Sequence, residues 1–271
     1  MDDYREIERS IIKTYRKSIW SKFIKGINAF NLVQDNDSIM VCISGGKDSF
    51  LLSKCLQELK KHGKKKFTLK FVVMNPGYDD KSLELIKENA KRLNVPIEIF
   101  ESPIFEVVKK TTKGSPCYLC ARMRRGYLYD YAQKNGCNKI ALGHHFDDVV
   151  ETVLLSMFYG AELKIMMPKL HSDNFPGLEL IRPLYYVEEN AIKMWKDKFA
   201  LEFVHEACPL FGDCSFKSGG KRNEVKELMK VLRNNNPEIP ANIMKSLDNV
   251  NLACVLGYKN EKEYHSFLDN Y

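Results

Sequence analysis

Six consecutive residues, Ser44-Gly45-Gly46-Lys47-Asp48-Ser49, bring together the groups an anion site needs. They follow the apolar run Ile39-Met40-Val41-Cys42-Ile43 and precede Phe50-Leu51-Leu52, which continues at helical spacing through Cys55, Leu56 and Leu59. That pattern predicts a strand-to-helix turn. Two adjacent glycines let the backbone approach phosphate oxygens, the first N–H groups of the helix lack intrahelical partners, and the helix dipole favours negative charge. Lys47 adds a cation, and the Ser44 and Ser49 hydroxyls add donors. The spacing is not that of a Walker loop, whose first glycine stands well ahead of a Gly-Lys-Ser/Thr end. An ordinary Gly-Gly turn before a helix is the competing explanation.

Two further stretches carry chemistry. Cys117-Tyr118-Leu119-Cys120 admits structural zinc, a redox pair, an iron–sulfur site or two packed thiols. Zinc usually brings a second tightly spaced pair, whereas Cys208 and Cys214 are separated by five residues. Gly143-His144-His145-Phe146-Asp147-Asp148 follows the apolar run Ile140-Ala141-Leu142, so the Gly143 backbone and Asp148 fall at a strand end. Carboxylates beside a triphosphate act through Mg²⁺, and Asp147 or Asp148 suits that task; capping the next helix is the alternative for each. His144 and His145 point differently as sequence neighbours and show no third partner. Arg122, Arg124 and Arg125 suit phosphates.

The elements that must position these residues alternate. Strands are predicted at 39–43, 69–74, 97–100, 139–142 and 178–181, with helices after each of the first four and over 187–199. Alternation of this kind means an α/β, doubly wound parallel sheet, here five-stranded and Rossmann-like, whose ligands gather beyond the carboxyl ends of the strands. An N-terminal helix precedes it, with Ile7, Ile11, Tyr15, Ile19, Phe23, Ile27 and Phe30 at near-fourfold spacing and Lys13, Arg16, Lys17, Lys22 and Lys25 largely elsewhere. That basic face suits nucleic acid, and equally suits water. A helical tail follows. The expected division is 1–36 basic helical segment, 37–200 nucleotide domain, and 201–271 tail.

A chain of 271 residues with 44% apolar and 28% charged residues is an ordinary globular protein, long enough to bury a real core. No apolar run approaches the ~20 residues of a membrane span, and the N-terminus lacks an apolar signal core, so a cytoplasmic protein without membrane contact is expected. Eight cysteines there should be thiols or metal ligands, and a net charge of +7 leans towards a polyanionic partner.

Ser44 to Ser49 resembles the PP-loop of the ATP pyrophosphatases, which cleave ATP between its α and β phosphates. Together with Cys117–Gly126, Leu142–Asp148 followed by Glu151-Thr152, and Arg182-Pro183-Leu184, in that order, it resembles the tRNA 2-thiocytidine synthetase family over roughly residues 20–230. The resemblance implies ATP at Ser44, Gly45, Gly46, Lys47, Asp48, Ser49, Met74, Arg124, Gly143 and Asp148, with Lys47, Asp48 and Asp148 catalytic and Mg²⁺ bound. It implies a 4Fe-4S cluster on Cys117, Cys120 and one distant cysteine, and sulfur transfer to a tRNA cytidine. Cys208 is the expected third ligand, since Pro209 stiffens the chain beside it and the family places its ligand near this point; Cys214 lies in a polar turn. The sulfur would come from a cysteine desulfurase or free sulfide, and a homodimer is compatible with the family. One departure is that Cys208 to Cys214 lacks the family's frequent second Cys-x-x-Cys. Thiouridine or lysidine-type relatives, and a nucleotide- or RNA-binding protein with structural zinc, are the alternatives.

Overall fold

The computed structural model describes residues 4–110, 116–204, 220–260 and 263–271. Its chain divides into two units, residues 1–149 with 167–220, and residues 150–166 with 221–271.

The first unit is built on β1 (Ser38–Ile43), whose alternate residues face two cores. Ile39, Val41 and Ile43 pack with Phe23, Ile27 and Phe50, while Met40 packs with Val72, Ile140 and Ala132. Burial on both faces is why the strand reads as a continuous apolar run. The sheet also holds β2 (Thr68–Asn75), β3 (Ile97–Glu101), β4 (Lys139–Ala141), β5 (Lys169–His171) and β6 (Glu179–Ile181), in the order β3-β2-β1-β4-β6-β5. The first four and β6 are the predicted parallel strands.

The five-strand expectation needs one correction: β5 is a sixth strand, antiparallel to β6, with Leu170 opposite Leu180. It is three residues long, follows Pro168 and leaves Leu170 exposed, so no alternating pattern marks it.

The N-terminal stripe is also not one helix. Residues four apart advance about 40° per step around an α-helix, so from Ile7 to Ile27 the stripe would wind through about 200°. Between α1 (Tyr4–Ile12) and α2 (Ser21–Ala29) lies a wider π turn, Arg16–Trp20. Just before it the Tyr15 N–H already reaches back five residues to Ser10 O at 2.8 Å. Wider turns take up more residues and hold the stripe in line, and its six residues from Ile7 to Ile27 are buried. Lys13, Arg16, Lys17 and Lys25 remain exposed, while Lys22 pairs with Glu188.

After β1 comes α3 (Lys47–His62), and after β2 comes α4 (Asp80–Arg92). A short α5 (Ile104–Lys110), not expected from the sequence, precedes α6 (Pro116–Lys134). α7 (Phe146–Gly160) follows β4, and α8 (Glu189–Lys198) follows β6. The second unit contains α9 (Lys221–Asn235), which buries Val225 and Met229, α10 (Ile239–Asp248), and an unanticipated hairpin of β7 (Gly257–Asn260) and β8 (Glu263–Ser266). Among the described residues no helix is long and apolar enough to cross a membrane.

Candidate functional site

β1 and β4 are neighbours at the point where the strand order reverses, with β2 and β3 on one side and β6 on the other. Such a switch point leaves a crevice beyond the carboxyl ends of the strands. A cavity of about 280 Å³ lies there, lined by Ser44, Asp48 and Ser49, by Met74 and Tyr78 after the core of β2, by Arg124 and Leu128 of α6, and by Gly143, His144 and Asp148 after β4.

The loop from β1 to α3 is shaped by its own hydroxyls and glycines. Ser49 Oγ donates to Gly46 O at 2.9 Å and accepts from the Ser44 N–H at 3.2 Å. Gly45 has φ +86° and accepts the Val204 N–H at 3.2 Å; a side chain there would meet Ile86 at 2.9 Å. The N-cap of α3 is Gly46, which has no side chain to cap the helix, so among the described residues its first N–H groups stay available to an anion. Gly143 permits a close crossing: a Cβ on it would stand 3.0 Å from Asp48 C and Ser49 N.

Charge is arranged around this loop. Lys47 Nζ lies 3.2 Å from Asp48 and 3.1 Å from Glu189. Burial works against the Lys47 ammonium, but Asp48 and Glu189 outweigh it and hold the pKa above its ordinary value. Burial dominates at Asp48 and raises its carboxyl, against the opposing pull of Lys47 and His145. Both shifts are upward, which favours the ammonium and disfavours the carboxylate, because Glu189 supports the lysine but not Asp48. The Lys47 ammonium donates to Asp48 Oδ2 at 3.2 Å, while Asp48 Oδ1 is buried without a hydrogen bond among the described residues. Arg124 Nε is likewise buried without a hydrogen bond there, its guanidinium 5.5 Å from the Phe105 ring centre. Two charged side chains on one cavity, each with one buried polar atom lacking a hydrogen bond among the described residues, are what a polar ligand completes, and the open α3 terminus beside them fits a nucleotide's phosphates.

The adjacent carboxylates separate. Asp147 accepts the Glu189 N–H at 2.7 Å and so caps the first turn of α8, whereas Asp148 lines the cavity and accepts the His145 N–H at 3.2 Å. His145 is buried, its ring nitrogen 3.5 Å from Asp148 and 3.9 Å from Asp48. Part of Cys42 is open to the cavity, yet burial of its thiol, helped by Cys137, pushes it up to about 12, so it is a neutral wall.

Residues 15–209 match the model of a family described as a PP-loop domain. A tRNA-cytidine(32) 2-sulfurtransferase of Bdellovibrio bacteriovorus is 38% identical over 86% of this chain and 88% of its own. The chain belongs to this family. Proteins of the same name from Coxiella burnetii and Francisella tularensis are 37% and 34% identical, over 87% and 97% of this chain and 90% and 95% of theirs. Among solved structures, the U34-tRNA thiolase NcsA of Methanococcus maripaludis with its 4Fe-4S cluster has a TM-score of 0.68 at 20% identity, over 89% of this chain and 78% of that one, which establishes the shared fold.

In this sulfurtransferase-family chain, Ser44, Asp48, Ser49, Met74, Arg124, Gly143 and Asp148 meet at the one cavity, with Gly45 and Gly46 in the adjoining loop. Lys47 sits beside them, but its side chain is not part of that cavity wall. Cys120 is half-buried on α6 and packs in the cluster of Met74 and Phe105, which puts one thiol near the cavity wall. The Cys117 side chain and all of Cys208 and Cys214 lie outside the described residues. Tyr78 and Glu189 were not singled out from sequence. Tyr78 carries no motif, and the charge that follows Arg182-Pro183-Leu184 gains meaning only from its contact with Lys47.

Proposed function

We propose that this chain is an ATP-dependent tRNA sulfurtransferase that replaces the C2 oxygen of cytidine 32 with sulfur, giving 2-thiocytidine. A ring carbonyl oxygen is a poor leaving group. Forming a bond from it to the α phosphorus of ATP, while the bond to pyrophosphate breaks, turns it into the oxygen of a departing AMP. A sulfur nucleophile then bonds to C2 and AMP leaves. The open N–H groups of α3 and the Ser44 and Ser49 hydroxyls hold the phosphates, Lys47 neutralises charge that grows as pyrophosphate departs, and Arg124 binds the nucleotide from α6. Asp48 and Asp148, brought to one wall, would hold Mg²⁺. Cys117, Cys120 and Cys208 would hold a 4Fe-4S cluster, which would carry the incoming sulfur when bound.

The observation that carries the reading is the convergence of the PP-loop, Arg124 and Asp148 on one switch-point cavity in a chain whose relatives bear the sulfurtransferase name. In this reading residues 1–36 offer basic surface to tRNA, 37–200 activate ATP, and 201–271 bring the third cysteine. The enzyme acts in the cytoplasm on sulfur from a cysteine desulfurase or free sulfide. The test is tRNA-dependent pyrophosphate release from ATP, with mass spectrometry of tRNA nucleosides from a deletion strain. Loss of 2-thiocytidine is expected; loss of a thiouridine instead would move the assignment to another base. ATP binding without turnover would make the protein a binder.

A further inference from the structure

We propose that Glu189 is a positioning residue that holds the Lys47 ammonium beside the nucleotide cavity until the phosphates of ATP displace it. The inference rests on the ATP reading of the PP-loop and adds a competitor for its lysine. Lys47 is the first residue of α3, yet its side chain is not in the cavity wall; its ammonium bridges Glu189 at 3.1 Å and Asp48 at 3.2 Å. Glu189 is itself held in place. Its backbone N–H donates to Asp147 at 2.7 Å, its second oxygen meets Lys193 at 2.9 Å, and it stands in the first turn of α8, where the helix dipole favours a carboxylate.

A merely structural role, closing the first turn of α8 by pairing with Lys193 one turn on, accounts for the second oxygen only. The first oxygen goes to a residue on a different element, and that residue is the cation of the phosphate loop. The side chains are 19% and 23% exposed, so water screens this pair less than a surface pair. One ammonium cannot keep its full interaction with Glu189 and also give it to a pyrophosphate group. The carboxylate therefore weakens ligand binding in the resting state. It also keeps the lysine charged and beside its place of work, where a free side chain would sample many rotamers.

The experiment uses the full-length protein and isothermal titration calorimetry with inorganic pyrophosphate and with ATP. Glu189→Gln is expected to tighten pyrophosphate binding about fivefold, the equivalent of about 1 kcal/mol for one partly shielded ion pair. In a Lys47→Ala background the same substitution should change the affinity less than about twofold, because the carboxylate acts through the lysine. Glu189→Asp, which keeps the charge but withdraws it by one methylene, should fall between wild type and Glu189→Gln, and serves if the amide variant folds poorly. An unchanged or weaker affinity in the folded variant overturns the inference. So does tightening that persists undiminished without Lys47, since that is a general charge effect. If the wild type binds neither pyrophosphate nor ATP, the nucleotide reading itself falls and takes this inference with it; if it binds both, only the role of Glu189 is at stake.

Discussion

Gly143→Ala tests whether the close crossing of the β4 end over the PP-loop sets the geometry of ATP binding. The new Cβ would stand 3.0 Å from Asp48 C, 3.0 Å from Ser49 N and 3.2 Å from Asp48 O, all backbone atoms that no rotamer change can move. Carbon atoms rest about 3.5–4.0 Å apart, so the crossing must open by roughly 0.5 Å. Overpacking of this kind costs about 1–3 kcal/mol, which in a chain of this size lowers Tm by about 2–10 °C. The strand end and the helix N-terminus are the two parts that part company, and they carry Asp148 and Ser49. A displacement of ~1 Å at a reacting group costs about 10²-fold, so half of that should lower kcat/KM for ATP about tenfold. Gly126→Ala is the control: it lies inside α6, and among the described residues a Cβ there meets nothing within 4 Å. It should leave Tm unchanged or raise it, by about 0.5–1 kcal/mol of helix propensity. The measurements are thermal melting and steady-state pyrophosphate release for both variants. Wild-type melting and turnover in Gly143→Ala would refute the argument that this glycine is required by the contact.

Lys47→Ala and Asp48→Ala should each lower tRNA-dependent pyrophosphate release by about 10²–10³-fold while leaving iron content unchanged, read by a coupled assay and by metal analysis. Cys208→Ala, purified and reconstituted without oxygen, should lose cluster absorbance and thiolation together, whereas Cys214→Ala keeps the absorbance; the opposite result reverses the ligand assignment. Burial raises the Glu189 carboxyl, but Lys193 and Lys47 outweigh it and hold it down to about 2, against 4.5 for the ordinary group. A depressed carboxylate contributes stability that is fully present above about pH 4.5 and lost as pH falls towards 2. Urea titrations between about pH 6 and pH 3 should therefore show a shallower acid loss of stability in Glu189→Gln than in wild type, and parallel curves would contradict the pairing.

The sequence by itself determined the main strands and helices of the sheet and the chemistry they could carry. Ile39 to Ile43 and Leu69 to Met74 read as strands because both faces are buried, and Gly45-Gly46 before a helical pattern reads as an anion turn because those properties are local. The resemblance across four ordered motifs then pointed to a tRNA thiolation family, and the relatives bear that family's name. Even the π turn has its trace in the strict fourfold spacing from Ile7 to Ile27. The order of the sheet had no such trace, because a local period says nothing about which strand lies alongside. β5 and the β7–β8 hairpin escaped notice for the same reason: three or four half-exposed residues form a strand only when a partner supplies the hydrogen bonds. Asp147 and Asp148 are indistinguishable as neighbours in the chain. Tertiary structure separated them by placing the first under the Glu189 N–H and the second in the cavity. The pairing of Lys47 with Glu189 is decided in the same way, since contact between residues on different elements follows from how α3 and α8 pack, which no local window of sequence contains.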